Sequence, residues 1–319
     1  MIDKIKEINL KFSVAGYEDE LTSYIIKETQ GCCDQCYTDN IGNVICHKKG
    51  KGEKVLINIP ISCDGIFVTH IEDSGKIKFH TVGTPKAENL LGAQVKDKNG
   101  KIIGIIFSDS KGADELSCDD LYIDLGVFNK EDAESMVKTG DVLEPYSDIV
   151  KINENMYGPK LSKTVIISAV IEAIKELKSD KDLYFSFSVM DNLGFKGAKT
   201  SANLINPDIC YTLSFADTAN KTTEIKLSKG PAIKIKDSHI IVSKNMRDGI
   251  IKKLAENGID YQLEIISKDG LTNNEIMYLG NGILTANLNC PVKCVGTLTE
   301  GVCEKDISAL IKSLKLILV

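Results

Sequence analysis

Residues 185–200 read FSFSVMDNLGFKGAKT. The first five are aromatic and β-branched in character, which is the composition of a buried strand. Met190, Asp191 and Asn192 close it with two polar side chains, residues 193–197 form a glycine-flanked turn, and a helix is expected from Ala198. In α/β proteins a ligand sits where strands end and helices begin. Asp191 and Asn192 therefore stand where chemistry is expected.

The rest of the chain supports such a sheet. Helical patterns run over 2–12, 20–29, 163–177, 198–203, 243–257, 272–279 and 306–317, the one at 163–177 apolar on one side. Strand patterns lie between them at 55–61, 183–189, 209–215, 231–235, 261–266 and 283–287. Strand 55–61 is apolar apart from Asn58, as a central strand should be. A hairpin is expected over 33–47, turning on Asp39, Asn40, Ile41, Gly42 and Asn43. Between Gly65 and Tyr157 short strands follow one another closely, at 66–71, 77–82, 94–96, 102–107 and 121–125, with a short helix at 128–137. The fold class is therefore α/β, a mixed sheet flanked by helices with an inserted β-rich domain. The expected division is 1–65 with 155–319 for the α/β domain, and 66–154 for the insert.

Composition narrows the function. The chain has 319 residues, 43% hydrophobic and 26% charged, with a net charge of −6. That balance is ordinary for a globular protein and opposes binding to nucleic acid. Arg247 is the only arginine, so bidentate clamps for phosphate or carboxylate are nearly absent. No apolar run is long enough to span a bilayer, so no membrane partner is expected. The opening MIDKIKEINLKFS is amphipathic and lacks the apolar core of a signal peptide. With ten cysteines, this points to free thiols in a reducing cytoplasm.

Short motifs occur in order along nearly the whole chain: AGYE at 15–18, DNIGN at 39–43, LYIDLG at 121–126, GFKGAKT at 194–200, NPDI at 206–209 and GPAIKIKDS at 230–238. In these the chain resembles the tetrahedral, glutamyl aminopeptidase-like metallopeptidases, often labelled endoglucanases. The resemblance implies an aminopeptidase-like sheet, a PDZ-like insert, a homo-oligomer of at least two chains, and two metal ions with a glutamate that activates water. It also places the ligands. The first metal histidine falls on Pro60, the bridging aspartate on Ser162, the strand-end glutamate on Asn192, the later aspartate on Ser214 and the last histidine on Gly296. The general base falls on Asp191. Ser62, Cys63 and Asn273 fall beside the substrate. None of the five ligand positions offers an imidazole or a carboxylate, and metal ligands need such lone pairs. No metal is expected at these positions, and the pocket is expected to be polar but nearly uncharged.

Three readings follow. The first is a catalytically inactive relative, kept for assembly or for binding a peptide-like ligand, with no cofactor. The second is an active aminopeptidase with an atypical site, using zinc or cobalt. The third is another hydrolase working through Asp191 or Cys63. The histidines His47, His70, His80 and His239 read as ordinary residues away from the ligand positions. Cys33, Cys36 and Cys46 have zinc-like chemistry, and a turn centred on Ile41 sets Cys36 opposite Cys46. Strand alternation would put Cys33 and Cys36 on opposite faces, which favours small apolar strand residues over a metal site. Cys63 and Cys294 are both expected near the pocket. Ser162 beside Lys163 reads as a surface contact, since adjacent helical residues point apart.

Overall fold

The computed structural model of the chain describes residues 1–109, 116–220, 223–267 and 273–319, with only the backbone of Asn273. The chain enters through α1 (Ile2–Leu10) and α2 (Asp19–Thr29), then β1 (Gln35–Thr38), β2 (Val44–Lys48) and β3 (Lys54–Pro60). It continues into β4 (Gly65–Ile71), β5 (Ile77–Val82), α3 (Ala87–Leu90), β6 (Gln94–Lys96), β7 (Ile102–Ser108), β8 (Leu121–Asp124), α4 (Lys130–Met136) and β9 (Val142–Tyr146). Next come β10 (Val150–Ile152), β11 (Asn155–Gly158), α5 (Leu161–Glu176), β12 (Asp182–Ser188), α6 (Lys196–Ile205) and β13 (Ile209–Asp217). The chain ends with β14 (Ala232–Lys236), α7 (Lys244–Glu256), β15 (Gln262–Ile265), α8 (Asn273–Met277), β16 (Leu284–Val292), β17 (Glu300–Cys303) and α9 (Glu304–Leu318).

The main sheet has eight strands in the order β1-β2-β12-β3-β13-β16-β14-β15. Its centre is parallel: β12 and β13 both pair with β3, and β16 pairs with β13. The centre is buried on both faces, which is why β3 reads as an apolar run apart from Asn58 and why even Ser186 and Ser188 of β12 are buried. Helices α1, α2, α5 and α9 cover one face, and α6 and α8 the other. Helix α5 departs from its one-sided reading. Twelve of its sixteen residues are buried, because α1, α2 and α9 enclose the side turned away from the sheet.

The insert is a closed barrel in the order β4-β5-β8-β7-β6-β9, with every pair antiparallel. Ile66, Val68, Ile77, Phe79, Val95, Ile106 and Ile123 fill it. Strand β9 was not expected from sequence. Its VLEPY is short and contains a proline, yet it closes the barrel by pairing with both β4 and β6. A small sheet of β10, β11 and β17, likewise unforeseen, follows the barrel and leads into α5.

The decisive stretch folds much as its residues dictate. β12 covers 182–188, and α6 begins at Lys196, two residues before the expected start. Asn43, in the hairpin turn, holds the two together. Its Oδ1 accepts from the Val189 amide at 2.9 Å, and its Nδ2 donates to the Gly197 carbonyl at 3.0 Å. A Cβ on Gly197 would lie 2.2 Å from the Val189 carbonyl oxygen and 2.5 Å from Asn43 Oδ1. Gly197→Ala is therefore expected to cost about 1–3 kcal/mol, as overpacking does. Urea unfolding would check this, and a change within experimental error would show that the strand end yields freely.

Candidate functional site

The parallel strands point their C-terminal ends at one cavity of about 970 Å³. Pro60 ends β3, Asn192 follows β12, Ser214 lies on β13, Gly296 follows β16, and Ser162 is in the first turn of α5. All five line the cavity, as do Ser62, Cys63 and Asp191. The side chain of Asn273 lies outside the described residues, as does Thr272.

Asp191 is 4% exposed. Ser188 Oγ donates to its Oδ2 at 2.6 Å. Burial carries the Asp191 carboxyl from its ordinary 3.8 up to about 7, against the opposing pull of Ser188, the Lys163 charge and the Ala198 amide. The backbone around it is unusual. Met190, Phe195 and Lys160 are non-glycine residues at φ 54°, 56° and 56°. Left-handed residues of this kind cost energy and cluster at ligand sites. Here they turn the chain out of β12 and into the first turns of α5 and α6.

Five further carboxyls line the cavity, Asp64, Glu144, Asp217, Glu264 and Glu300, and the sequence reading passed over them. Asp64 Oδ1 accepts from Asn192 Nδ2 at 2.5 Å. Glu300 accepts from the Ser162 amide at 2.7 Å, the Ser162 hydroxyl at 3.0 Å and the Gly296 amide at 2.8 Å. It thus ties together two of the five ligand positions and caps the positive end of α5. Glu264 accepts from Asn289 at 2.7 Å and faces Lys234 Nζ at 3.7 Å. Burial pushes Asp64, Glu264 and Glu300 above the usual carboxylate range.

Lys163 lines the cavity and is no surface contact. Its charge opposes the upward push on Asp64, Asp191 and Glu300 alike, although it makes no direct ion pair with any described residue. Ser162 gives its hydroxyl to Glu300, so Ser162 and Lys163 do not form a nucleophile pair. The cavity is therefore richly charged, contrary to the expectation of a nearly uncharged pocket. The difference arises because the fold turns Asp64 and Glu300, which flank ligand positions, inward, and brings Glu264 and Lys234 to the cavity from segments away from those positions.

Cys63 lines the cavity, but burial pushes its thiol up to about 11, which keeps it protonated. Cys294 is exposed and does not line it. The Ser62 hydroxyl is committed to Glu18 at 2.5 Å, and Glu18 also accepts from the Met190 amide at 3.0 Å.

A family model described as M42 glutamyl aminopeptidase matches residues 42–312. The chain belongs to the M42 glutamyl aminopeptidase family. A protein of Acetivibrio thermocellus, provisionally named an aminopeptidase, is 34% identical over 98% of this chain and 97% of its own. The solved aminopeptidase of the archaeon Desulfurococcus kamchatkensis superposes with a TM-score of 0.94 at 24% identity, covering 99% of this chain and 94% of that one. A TET peptidase of Pyrococcus horikoshii, which can assemble into a tetrahedron or a large octahedral shell, gives 0.90 at 27% identity over 99% and 98% of the two chains.

Within this M42 chain the five positions that resemblance assigns to two metal ions do meet in space. Their donor set of proline, serine, asparagine, serine and glycine does not fit a dinuclear centre, which requires anionic and imidazole ligands. Glu300 and Asp64 are engaged by the very residues that stand at ligand positions. Glu300 and Asp64 could have been singled out as acidic residues flanking the ligand motifs, but only the fold turns them inward.

Proposed function

We propose that this chain is a catalytically inactive M42 homologue that has lost the dinuclear metal site and is retained for oligomeric assembly and for holding a peptide-like ligand in the cavity. The single observation that carries this reading is the convergence of Pro60, Ser162, Asn192, Ser214 and Gly296 on one cavity. This spatial coherence supports the register that the motifs assign, since positions scattered by misalignment would not be expected to converge. Lys163 adds to the case. A fixed cation among buried carboxyls repels a divalent ion and takes over part of its charge balance. The cavity volume suits a small peptide, and its wall offers both carboxyls and ammonium groups to the two ends of such a ligand.

Assembly is supported by the shells that the Pyrococcus horikoshii relative forms. Leu263 and Ile265 add to it, exposed on edge strand β15. An unpaired edge with apolar side chains is a ready contact surface. We assign 66–154, the PDZ-like barrel of the resemblance, to an inserted unit between 1–65 and 155–319, and place the protein in the cytoplasm. Among the described residues no helix is long and apolar enough to cross a membrane.

One observation favours the alternative of an active, metal-dependent aminopeptidase with an atypical site. A carboxyl poised at about 7 is what a general base requires. Assays of aminoacyl substrates with added zinc or cobalt separate the two. We expect no turnover above background, with or without chelator. Turnover abolished by chelator would establish the active reading, and turnover abolished by a thiol blocker would favour a hydrolase working through Cys63.

A further inference from the structure

Cys33, Cys36 and Cys46 stand apart from the cavity, whose lining includes none of them. Strand alternation, which placed Cys33 and Cys36 on opposite faces, does not apply. β1 begins only at Gln35, so Cys33 lies in the turn after α2 and is free to swing toward the hairpin. Cys36 and Cys46 are direct partners across the β1–β2 ladder, as the centre of the turn requires. The three sulfurs therefore converge, all within 4.8 Å of one another, with Cys36 Sγ and Cys46 Sγ 2.8 Å apart. The hydroxyl of Thr29, the last residue of α2, lies 3.4 Å from Cys36 Sγ and 3.3 Å from Cys46 Sγ. Cys46 is buried, while Cys33 and Cys36 are half-buried and reachable from solvent.

We propose that these three cysteines form a binding site for a single thiophilic cation, zinc by preference, unrelated to the family's dinuclear centre. Zinc binds thiolates at about 2.3 Å in tetrahedral geometry, which sets the sulfurs about 3.8 Å apart. The present triangle reaches that spacing by a side-chain movement of about 1 Å, with no change in strand register. Three protein sulfurs leave a fourth position, on the side of Cys33 and Cys36, for water or a small exogenous ligand. The ion would fasten the end of α2 to the hairpin at the outer edge of the main sheet, where β1 is otherwise a short exposed strand. Binding releases the thiol protons and so strengthens as pH rises.

The test uses the reduced full-length chain, loaded with zinc and passed through a desalting column. About one zinc per chain should be retained, and cobalt in its place should give a thiolate-to-cobalt charge-transfer band. Cys33→Ala and Cys36→Ala should each weaken zinc binding by about 100-fold or more and abolish the band. Cys33 is half-buried outside any strand, so its variant should keep the wild-type circular dichroism and melting temperature in the absence of metal. A Cys63→Ala variant should bind zinc as the wild type does. Zinc binding unchanged in Cys33→Ala would overturn the proposal, as would a cobalt spectrum without sulfur character. Oxidation of Cys36 and Cys46 to a disulfide in the presence of excess zinc would overturn it too. Since the signal is sulfur-specific, its loss would leave the reading of the cavity untouched.

Discussion

Asp191→Asn is expected to raise the melting temperature by a few degrees at pH 8 and to lower it by a few degrees at pH 4. The reason is linkage. In the folded chain burial carries the Asp191 carboxyl from 3.8 to about 7. Between these values the native state holds a proton that the unfolded chain has released. Stability is therefore full below about pH 4, falls as pH rises toward 7, and stays low above it. A displacement of this size is worth on the order of 4 kcal/mol. Asparagine cannot ionise, so the variant escapes that loss. Its amide nitrogen costs about 1–3 kcal/mol in turn, since Asp191 Oδ1 is buried and no described residue lies within hydrogen-bond geometry of it. The net gain at pH 8 is then about 1–3 kcal/mol. Thermal melts of both proteins from pH 4 to 8 check it, and a difference that does not grow with pH would contradict the account. In a working peptidase the same change would remove the general base that resemblance assigns to this position. Here it should improve the fold at no loss of turnover.

The second large effect is expected at Glu144, which is fully buried where barrel meets sheet. Its Oε2 lies 2.8 Å from Lys96 Nζ on β6, and its Oε1 lies 2.8 Å from Lys160 Nζ at the start of α5. Each lysine also donates to a backbone carbonyl just after or at the end of α1, Lys96 to Leu10 and Lys160 to Lys11, both at 3.1 Å. One carboxylate thus holds a buried ammonium group, Lys96, and a partly buried one, Lys160, and joins two layers of the molecule. Glu144→Ala strands both charges and should cost about 3–5 kcal/mol. Adding Lys96→Met should recover part of that, because one uncompensated charge is removed with it. Burial and the neighbouring Lys160 already push the Lys96 ammonium below its usual value, so it tolerates the interior only with its partner. Chemical denaturation of the single and double variants measures both numbers. A single variant within about 0.5 kcal/mol of wild type would show that water reaches the cluster and screens it.

The two changes also mark where sequence reading succeeds and where it stops. The strands of the main sheet are legible because their apolar runs are bounded by turn residues, and the hairpin at Asp39–Asn43 fixes its own register, down to Cys36 opposite Cys46. Asp191 is legible because it sits at a strand end. Glu300, Glu144 and Asp64 are not. Each acts through partners more than a hundred residues away or from another layer, as Glu300 does with Ser162, and no local pattern encodes such a meeting. Strand β9 hides behind its proline, and Cys33 was misplaced by extending a strand rule into a turn. The common thread is that period and turn chemistry report on neighbours in sequence, while the charged lining of the cavity is set by loop closure across the whole fold.

The central claim is that the family's metal site is gone. Anomalous diffraction from a crystal soaked in zinc tests it most directly, since it reports position as well as content. The account predicts no metal peak in the cavity bounded by Pro60, Ser162, Asn192, Ser214 and Gly296, with any single peak confined to the sulfurs of Cys33, Cys36 and Cys46. Two peaks in that cavity, about 3.5–4 Å apart as in dinuclear hydrolases, would contradict it.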